Sequence, residues 1–146
     1  MSRPKRFVDT NVWVYALDES PEEAAKHAVA VALLEQDPDS LVVSTQILQE
    51  VYVAVTRKLR DPLPPERAYR SVRALTKLEV VPVDVPLALA GIETARQAQI
   101  SLWDALVVQA AKVAGCSEVL TEDLNHGQAI VGVSVQNPFL QLEKNV

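Results

Sequence analysis

KRFVDTNVWVYALDES, residues 5–20, is the stretch on which the fold turns. Phe7 and Val8 begin a strand, RFV, and Asp9 then places a carboxylate inside a run that otherwise favours burial. After Asp9 the chain turns toward a first helix. Ser20-Pro21-Glu22-Glu23 reads as its start, with Ser20 as N-cap, Pro21 at the first position and Glu23 closing a capping box. Ala24, Ala28, Val31 and Leu34 carry that helix to about Gln36.

Downstream, strand and helix signals alternate. Asp37-Pro38-Asp39 is a turn and Leu41-Val42-Val43 a short buried strand. Ser44 or Thr45 caps a helix that runs past Glu50 to Leu59, with Leu48, Val51, Val55 and Leu59 at helical spacing. DPLPP, residues 61–65, breaks it, and Pro65-Glu66 opens another helix ending near Leu78. Val80-Val81-Pro82-Val83 is a strand whose proline suits a sheet edge. Pro86 starts a helix to about Gln99. Ser101 caps a further helix through Val113, stopped by Gly115. Val119-Leu120 and VGVSV, residues 131–135, are the last strands. This alternation predicts an α/β fold with a largely parallel sheet and right-handed crossovers. In such sheets ligands bind beyond the carboxyl ends of the strands, where strand order reverses. Asp9 follows the first strand and Asp123 follows VLTE. If those two strands are neighbours, both carboxylates meet in that crevice.

The 146 residues suit one domain, and 49% hydrophobic content is enough for a core without disulfides. The single cysteine, Cys116, excludes a disulfide framework or a cysteine zinc site within one chain and fits a reducing, cytoplasmic setting. The N-terminal apolar run is too short and too broken to read as a secretion signal, and no stretch approaches a membrane span. At a formal net charge of −5, bulk charge does not favour nucleic acid, so such a role needs a local basic patch. Half of the 14 basic residues supply one: Arg57, Lys58, Arg60, Arg67, Arg70, Arg73 and Lys77 lie in one segment. Arg67, Arg70, Arg73 and Lys77 run along one side of the helix after DPLPP, while Val72 and Leu75 serve another. That side is either a rail for phosphates or an ordinary solvated face.

Two further acids sit where charge is out of place. Asp104, in SLWDALVVQAA (residues 101–111), shares a helical arc with Val107, Val108 and Ala111, at a helix N-terminus whose dipole favours it. Glu50 lies beside Ile47 and Ala54 at the edge of an apolar stripe. Each acid has a local explanation: Asp9 as an Asx-turn or cap, Asp104 in a capping box with Ser101, Asp123 as cap of the turn into LNHGQ, Glu50 reaching for water. Together they point elsewhere. Carboxylates brought close repel, and one must take a proton unless a cation joins them. Oxygen ligands without a nearby histidine suit Mg2+ or Mn2+ rather than zinc. His27 lies on a predicted surface helix, and His126, near Asp123, is an outside candidate.

FVDTNVWVYA, Glu50 in a helix after a short strand, SLWDALVVQAA, VLTEDLNHGQ and NPF, in that order, resemble the PIN-domain family over nearly the whole chain. The strongest likeness is to the VapC-like toxins of prokaryotic toxin–antitoxin pairs. The resemblance implies a single PIN-like domain over residues 1–146, a three-layer α/β/α fold with a mainly parallel sheet of strand order 3-2-1-4-5. Strands 1 and 4 are then neighbours. It implies catalytic, metal-binding acids at Asp9, Glu50, Asp104 and Asp123, oriented by Thr10, Asn11 and Thr121. Glu122 stands beside Asp123, and the family position favours Asp123. The implied activity is Mg2+- or Mn2+-dependent endoribonuclease cleavage by the toxin of a type II pair. RNA is then the substrate and a cognate antitoxin the partner, and a homodimer would use apolar residues around Val29, Tyr52 and Val53. Aromatic residues are few, so base stacking is at best minor, and Trp13 and Trp103 read as core or interface residues before base platforms.

Other readings stay open. Asp-Thr after the first strand also suits a phosphotransfer site, which needs a second Asp or a lysine at a strand end; Lys112 falls in a helix and Lys144 in the tail. A PIN fold without catalysis would be a binding module. A housekeeping RNA-processing nuclease would use the same chemistry, although the short chain favours the toxin.

Overall fold

The structure, a computed structural model, describes residues 3–144. Six strands, β1 (Arg6–Val8), β2 (Leu41–Ser44), β3 (Glu79–Val81), β4 (Glu118–Leu120), β5 (Ala129–Ile130) and β6 (Val133–Gln136), form one sheet in the order β3-β2-β1-β4-β6-β5. All neighbours are parallel except β5, which is antiparallel to β6. Phe7 and Val8, Val42 and Val43, and Val119 and Leu120 are buried in succession. Consecutive burial marks central parallel strands covered on both faces.

Seven helices cover that sheet: α1 (Thr10–Leu17), α2 (Ala24–Glu35), α3 (Thr45–Arg57), α4 (Pro65–Leu75), α5 (Val85–Ala98), α6 (Leu102–Val113) and α7 (Leu140–Lys144). α6 packs across β2, β4 and β6 and carries α5, while α1 joins α2 and α3, and α3 joins α4. α5 and α6 approach closely at Gly91, where an added Cβ would lie 2.5 Å from Leu106 Cδ2. The single strand-borne arginine, Arg6, is satisfied at the end of the sheet by Ser40 Oγ and the Gln36 carbonyl. Among the described residues, no helix is long and apolar enough to cross a membrane.

Several expectations hold in detail. Ser44 caps α3 by accepting from Ile47 N at 3.3 Å, Ser101 caps α6, and Gly115 ends that helix at φ +76°. β3 lies at the sheet edge, as the proline suggested, but the strand is Glu79–Val81, and Pro82 and Val83, expected within it, lie beyond its end. Others need correction. The parallel strands follow the expected 3-2-1-4 order, but the fifth parallel strand is the sixth in the chain. A two-residue strand, β5, precedes it through a turn at Val131-Gly132, both at positive φ, and adds an antiparallel edge. Residues 10–17 form α1, not a turn toward a later helix. Ser20 makes no side-chain cap bond, and α2 begins at Ala24 after a short 3-10 turn over Pro21–Glu23. α4 ends at Leu75, so Lys77 lies beyond it, and Lys144 ends a helix rather than sitting in a tail.

Candidate metal centre

β1 and β4 pair Phe7 with Val119 and Val8 with Leu120, which brings their carboxyl ends together. Asp9 N donates to the Leu120 carbonyl at 3.1 Å. That bond seats Asp9 beside residues 121–123. Asp9 is also the N-cap of α1, its Oδ1 accepting from Thr10 N at 2.7 Å. Its Oδ2 accepts from Thr121 Oγ1 at 2.8 Å, and the whole residue is only 4% exposed.

Thr121 spends its one proton on Asp9 and accepts two bonds, from Asn11 Nδ2 at 3.1 Å and Asp123 N at 3.0 Å. A hydroxyl has that capacity and no more. Asn11 Nδ2 also donates to Asp123 Oδ2 at 3.1 Å, and Glu122 N donates to Asn11 Oδ1 at 3.3 Å. The first turn of α1 thus grips the segment after β4 through one amide.

α6 supplies the third carboxylate. Asp104 N donates to Ser101 Oγ at 3.0 Å, which leaves the Asp104 side chain on the first turn, at the positive end of the helix. One oxygen each from Asp9, Asp104 and Asp123 lie within 4.8 Å of one another. Glu50, on α3, stands beside this cluster without joining it. Its Oε2 accepts from Thr10 Oγ1 at 3.1 Å and its Oε1 from Gln46 Nε2 at 2.7 Å. All four acids line one open cleft of about 490 Å³.

Burial pushes the Asp9 carboxyl up to about 7, with Asp123 and Glu50 adding to the rise and hydrogen bonds from Thr121 and Thr10 opposing it. Burial raises Asp104 as well; Asp123 and Glu50 add to that rise, and Ser101 works against it. Clustered acids held so that protonation becomes favourable are the arrangement a cation relieves. The donor set is oxygen only, which fits a hard divalent ion such as Mg2+ or Mn2+. Both histidines are engaged elsewhere: His126 Nδ1 accepts from Asn137 N at 3.0 Å, and His27 Nδ1 lies 2.9 Å from the Tyr15 carbonyl.

Glu122 takes no part in the cluster. Tyr15 Oη donates to its Oε1 at 2.7 Å and Lys26 Nζ to its Oε2 at 3.0 Å. Lys26 also sits over the rings of Tyr15 and Phe139, 4.8 and 5.7 Å from their centroids. Burial works against the Lys26 ammonium, but bonds to Tyr15 and Glu122 raise it above its ordinary value. This clamp, missed in the sequence, anchors the residue next to Asp123.

The basic candidates lie apart. Arg67, Arg70 and Arg73 are exposed on α4 and Lys77 is exposed beyond it; Arg67 Nη2 stands 3.7 Å from Glu19 Oε1. None of the four lines the acidic cleft, whereas Lys58, at the end of α3, does. Trp13 is buried, as expected, with Nε1 donating to the Val8 carbonyl, but Trp103 is 63% exposed. Tyr52 and Val53 are exposed on α3, while Val29 packs half-buried against the core. Gln46 was also missed; its spacing of four residues from Glu50 on one helix was the available signal.

The profile of the PIN domain family matches residues 6–129. Solved structures share the fold. VapC20 of Mycobacterium tuberculosis, described as a sarcin-ricin loop cleaving toxin, is similar with a TM-score of 0.67 at 21% identity, covering 89% of this chain and 99% of that one. A toxin–antitoxin complex from Klebsiella pneumoniae gives 0.67 at 19% identity, with 92% and 98% covered. DNA-bound VapBC from Salmonella typhimurium gives 0.66 at 20% identity, with 93% and 99% covered. No curated protein matches the chain. At these identities the likeness speaks for the fold alone.

Proposed function

The chain belongs to the PIN-domain family, and from that premise we propose that it is a divalent-metal-dependent endoribonuclease, the toxin of a type II toxin–antitoxin pair. The observation that carries the reading is the meeting of Asp9, Asp104 and Asp123, drawn from three elements, within 4.8 Å. These three aspartates would hold the ion, Mg2+ or Mn2+. When bound, the ion lowers the pKa of a coordinated water and stabilises charge on the scissile phosphate. Thr121 and Asn11 orient Asp9 and Asp123, and Thr10 orients Glu50. Glu50, fixed between Thr10 and Gln46, holds the attacking water or a second ion. Attack by water needs no 2′-hydroxyl, and with the 3′-oxygen as leaving group, taking a proton as it departs, the products carry 5′-phosphate and 3′-hydroxyl ends.

Solved relatives of similar fold include a toxin–antitoxin complex and DNA-bound VapBC, which supports an antitoxin partner. That partner would close the acidic cleft, with a basic side chain taking the place of the cation. Arg67, Arg70, Arg73 and Lys77 form an outer phosphate contact away from the cleft. Tyr52, exposed on α3, contributes to a homodimer, and the protein acts as one domain in the cytoplasm. A PIN fold without catalysis has no use for Asp9, Glu50, Asp104 and Asp123 gathered at one cleft.

The experiment is cleavage of single-stranded RNA by the purified protein with Mg2+ or Mn2+, and with a chelator. Cleavage is expected only with metal, and is lost in Asp104→Asn while the melting curve stays cooperative. Failure of the wild-type protein to cut with either ion, or full activity in Asp104→Asn, overturns the proposal.

A further inference from the structure

We propose that Trp103 and Lys58 form a nucleotide subsite beside the acidic cluster: one unpaired base of single-stranded RNA stacks on the Trp103 indole while its phosphate meets the Lys58 ammonium. The inference rests on the nuclease reading and deepens it.

Trp103 directly precedes Asp104 on the first turn of α6. Large aromatic side chains usually gain stability by burial, and Trp13 does so, at 8% exposure. Trp103 stays 63% exposed. It lines the acidic cleft and also an adjoining recess of about 470 Å³, and Lys58, Gln46 and Glu50 line both as well. The recess is therefore continuous with the place where a phosphate would be cut. Lys58 stands at the C-terminal end of α3, where the helix dipole favours a cation. In a protein of net charge −5, with Asp18 and Glu23 lining the cleft beside the four candidate acids, a polyanion needs local attraction at that point.

The Trp103 backbone, which carries the indole, is tied to Glu50. Gln46 Nε2 donates both to the Trp103 carbonyl at 3.2 Å and to Glu50 Oε1 at 2.7 Å. Two acceptors on one side fix the orientation of the amide. Its Oε1 is then left buried with no partner among the described residues, an arrangement that costs stability. What the amide provides in exchange is a link between Glu50 and the Trp103 backbone, which fixes where α6 presents the indole beside the acidic cleft. Single-strand binders combine cations that track the backbone with exposed aromatic rings on which bases stack, and Lys58 and Trp103 bring both to one recess. The recess suits a base more than a peptide segment, since Gln49 and Glu50 present polar groups to it beside the apolar surface of Val53.

The chain has two tryptophans, and only Trp103 is exposed, so fluorescence reads the subsite directly. In the non-cleaving Asp123→Asn protein, a mixed-sequence single-stranded RNA decamer should quench the emission and shield it from iodide. Trp13→Phe keeps that response and Trp103→Phe removes it. Trp103→Ala should weaken RNA binding about 5- to 150-fold, the range that follows from loss of one base–aromatic stack, and Trp103→Phe should recover most of it. In the active protein Trp103→Ala raises KM with kcat nearly unchanged. Lys58→Gln lowers the slope of log Kd against log salt by about 0.7, one phosphate on a single strand. Wild-type cleavage with an unaltered KM in Trp103→Ala overturns the subsite alone, including the case where that variant instead loses a protein partner. Absence of any metal-dependent cleavage by the wild-type protein overturns the nuclease reading itself.

Discussion

Thr121 Oγ1 donates a 2.8 Å hydrogen bond to Asp9 Oδ2 across 112 positions of sequence. The same oxygen accepts from Asn11 Nδ2 and Asp123 N, so one buried hydroxyl couples two of the three clustered aspartates. Thr121→Val keeps the shape and removes all three bonds. Mn2+ affinity, read by titration calorimetry, should fall about 10- to 100-fold, the usual cost of losing a group that orients a ligand. Stability should fall by about 1–3 kcal/mol, because partners are left unpaired in a buried place. Thr121→Ser restores both. Unchanged affinity in the valine variant would show that the hydroxyl does not orient Asp9.

Asp9 predicts an unusual pH dependence. Burial lifts its carboxyl from 3.8 to about 7. The folded pKa therefore lies above the unfolded one, and the metal-free folded state binds protons more readily. The penalty is absent below about pH 4, grows between about pH 4 and 7, and is complete above that. Calorimetric melting with a chelator present should show the wild-type protein losing stability relative to Asp9→Asn as pH rises from about 4 to 7. Asp9→Asn should melt above the wild type in alkaline buffer. Mn2+ should stabilise the wild type there and leave Asp9→Asn unmoved. Parallel pH profiles for the two proteins would contradict a buried, strained carboxylate.

Glu122 and Asp123 are neighbours with different partners. Asp123→Asn should abolish Mn2+ binding. Glu122→Gln should leave it nearly intact while lowering stability by about 1 kcal/mol, a partly exposed ion pair of modest strength. Adding Lys26→Met to Glu122→Gln should recover part of that loss. A collapse of Mn2+ binding in Glu122→Gln alone, with Asp123→Asn unaffected, would exchange their roles.

Much of this site is legible in the sequence because it depends on strand order and helix caps, both local or topological signals. Asp9 and Asp123 meet because β1 and β4 pair, and Ser101-x-x-Asp104 is at once a cap and a way of aiming a carboxylate. For Asp9 the local role, capping a helix, and a place among the clustered acids coexist in one residue. Asp9 caps α1 and also brings one carboxylate oxygen within 4.8 Å of those of Asp104 and Asp123. α1 itself is hidden, since Val12, Trp13, Val14 and Tyr15 favour strands and only packing against α2 and α3 decides for helix. The β5–β6 hairpin is hidden by Val131, a β-branched residue at φ +46° where asparagine or glycine is the usual signal. Glu122 cannot be oriented from sequence because its partner, Lys26, lies 96 positions away. Trp103 reads from sequence as a core or interface residue, and its exposure becomes visible only once α6 is placed.

The central claim is that Asp9, Asp104 and Asp123 hold one divalent ion. Crystals grown with Mn2+ and measured at its absorption edge test it most directly. An anomalous peak bound to all three carboxylates at about 2.1 Å, the distance small hard cations adopt, is the predicted result. No peak there at saturating Mn2+, or an ion held by other side chains, would contradict it.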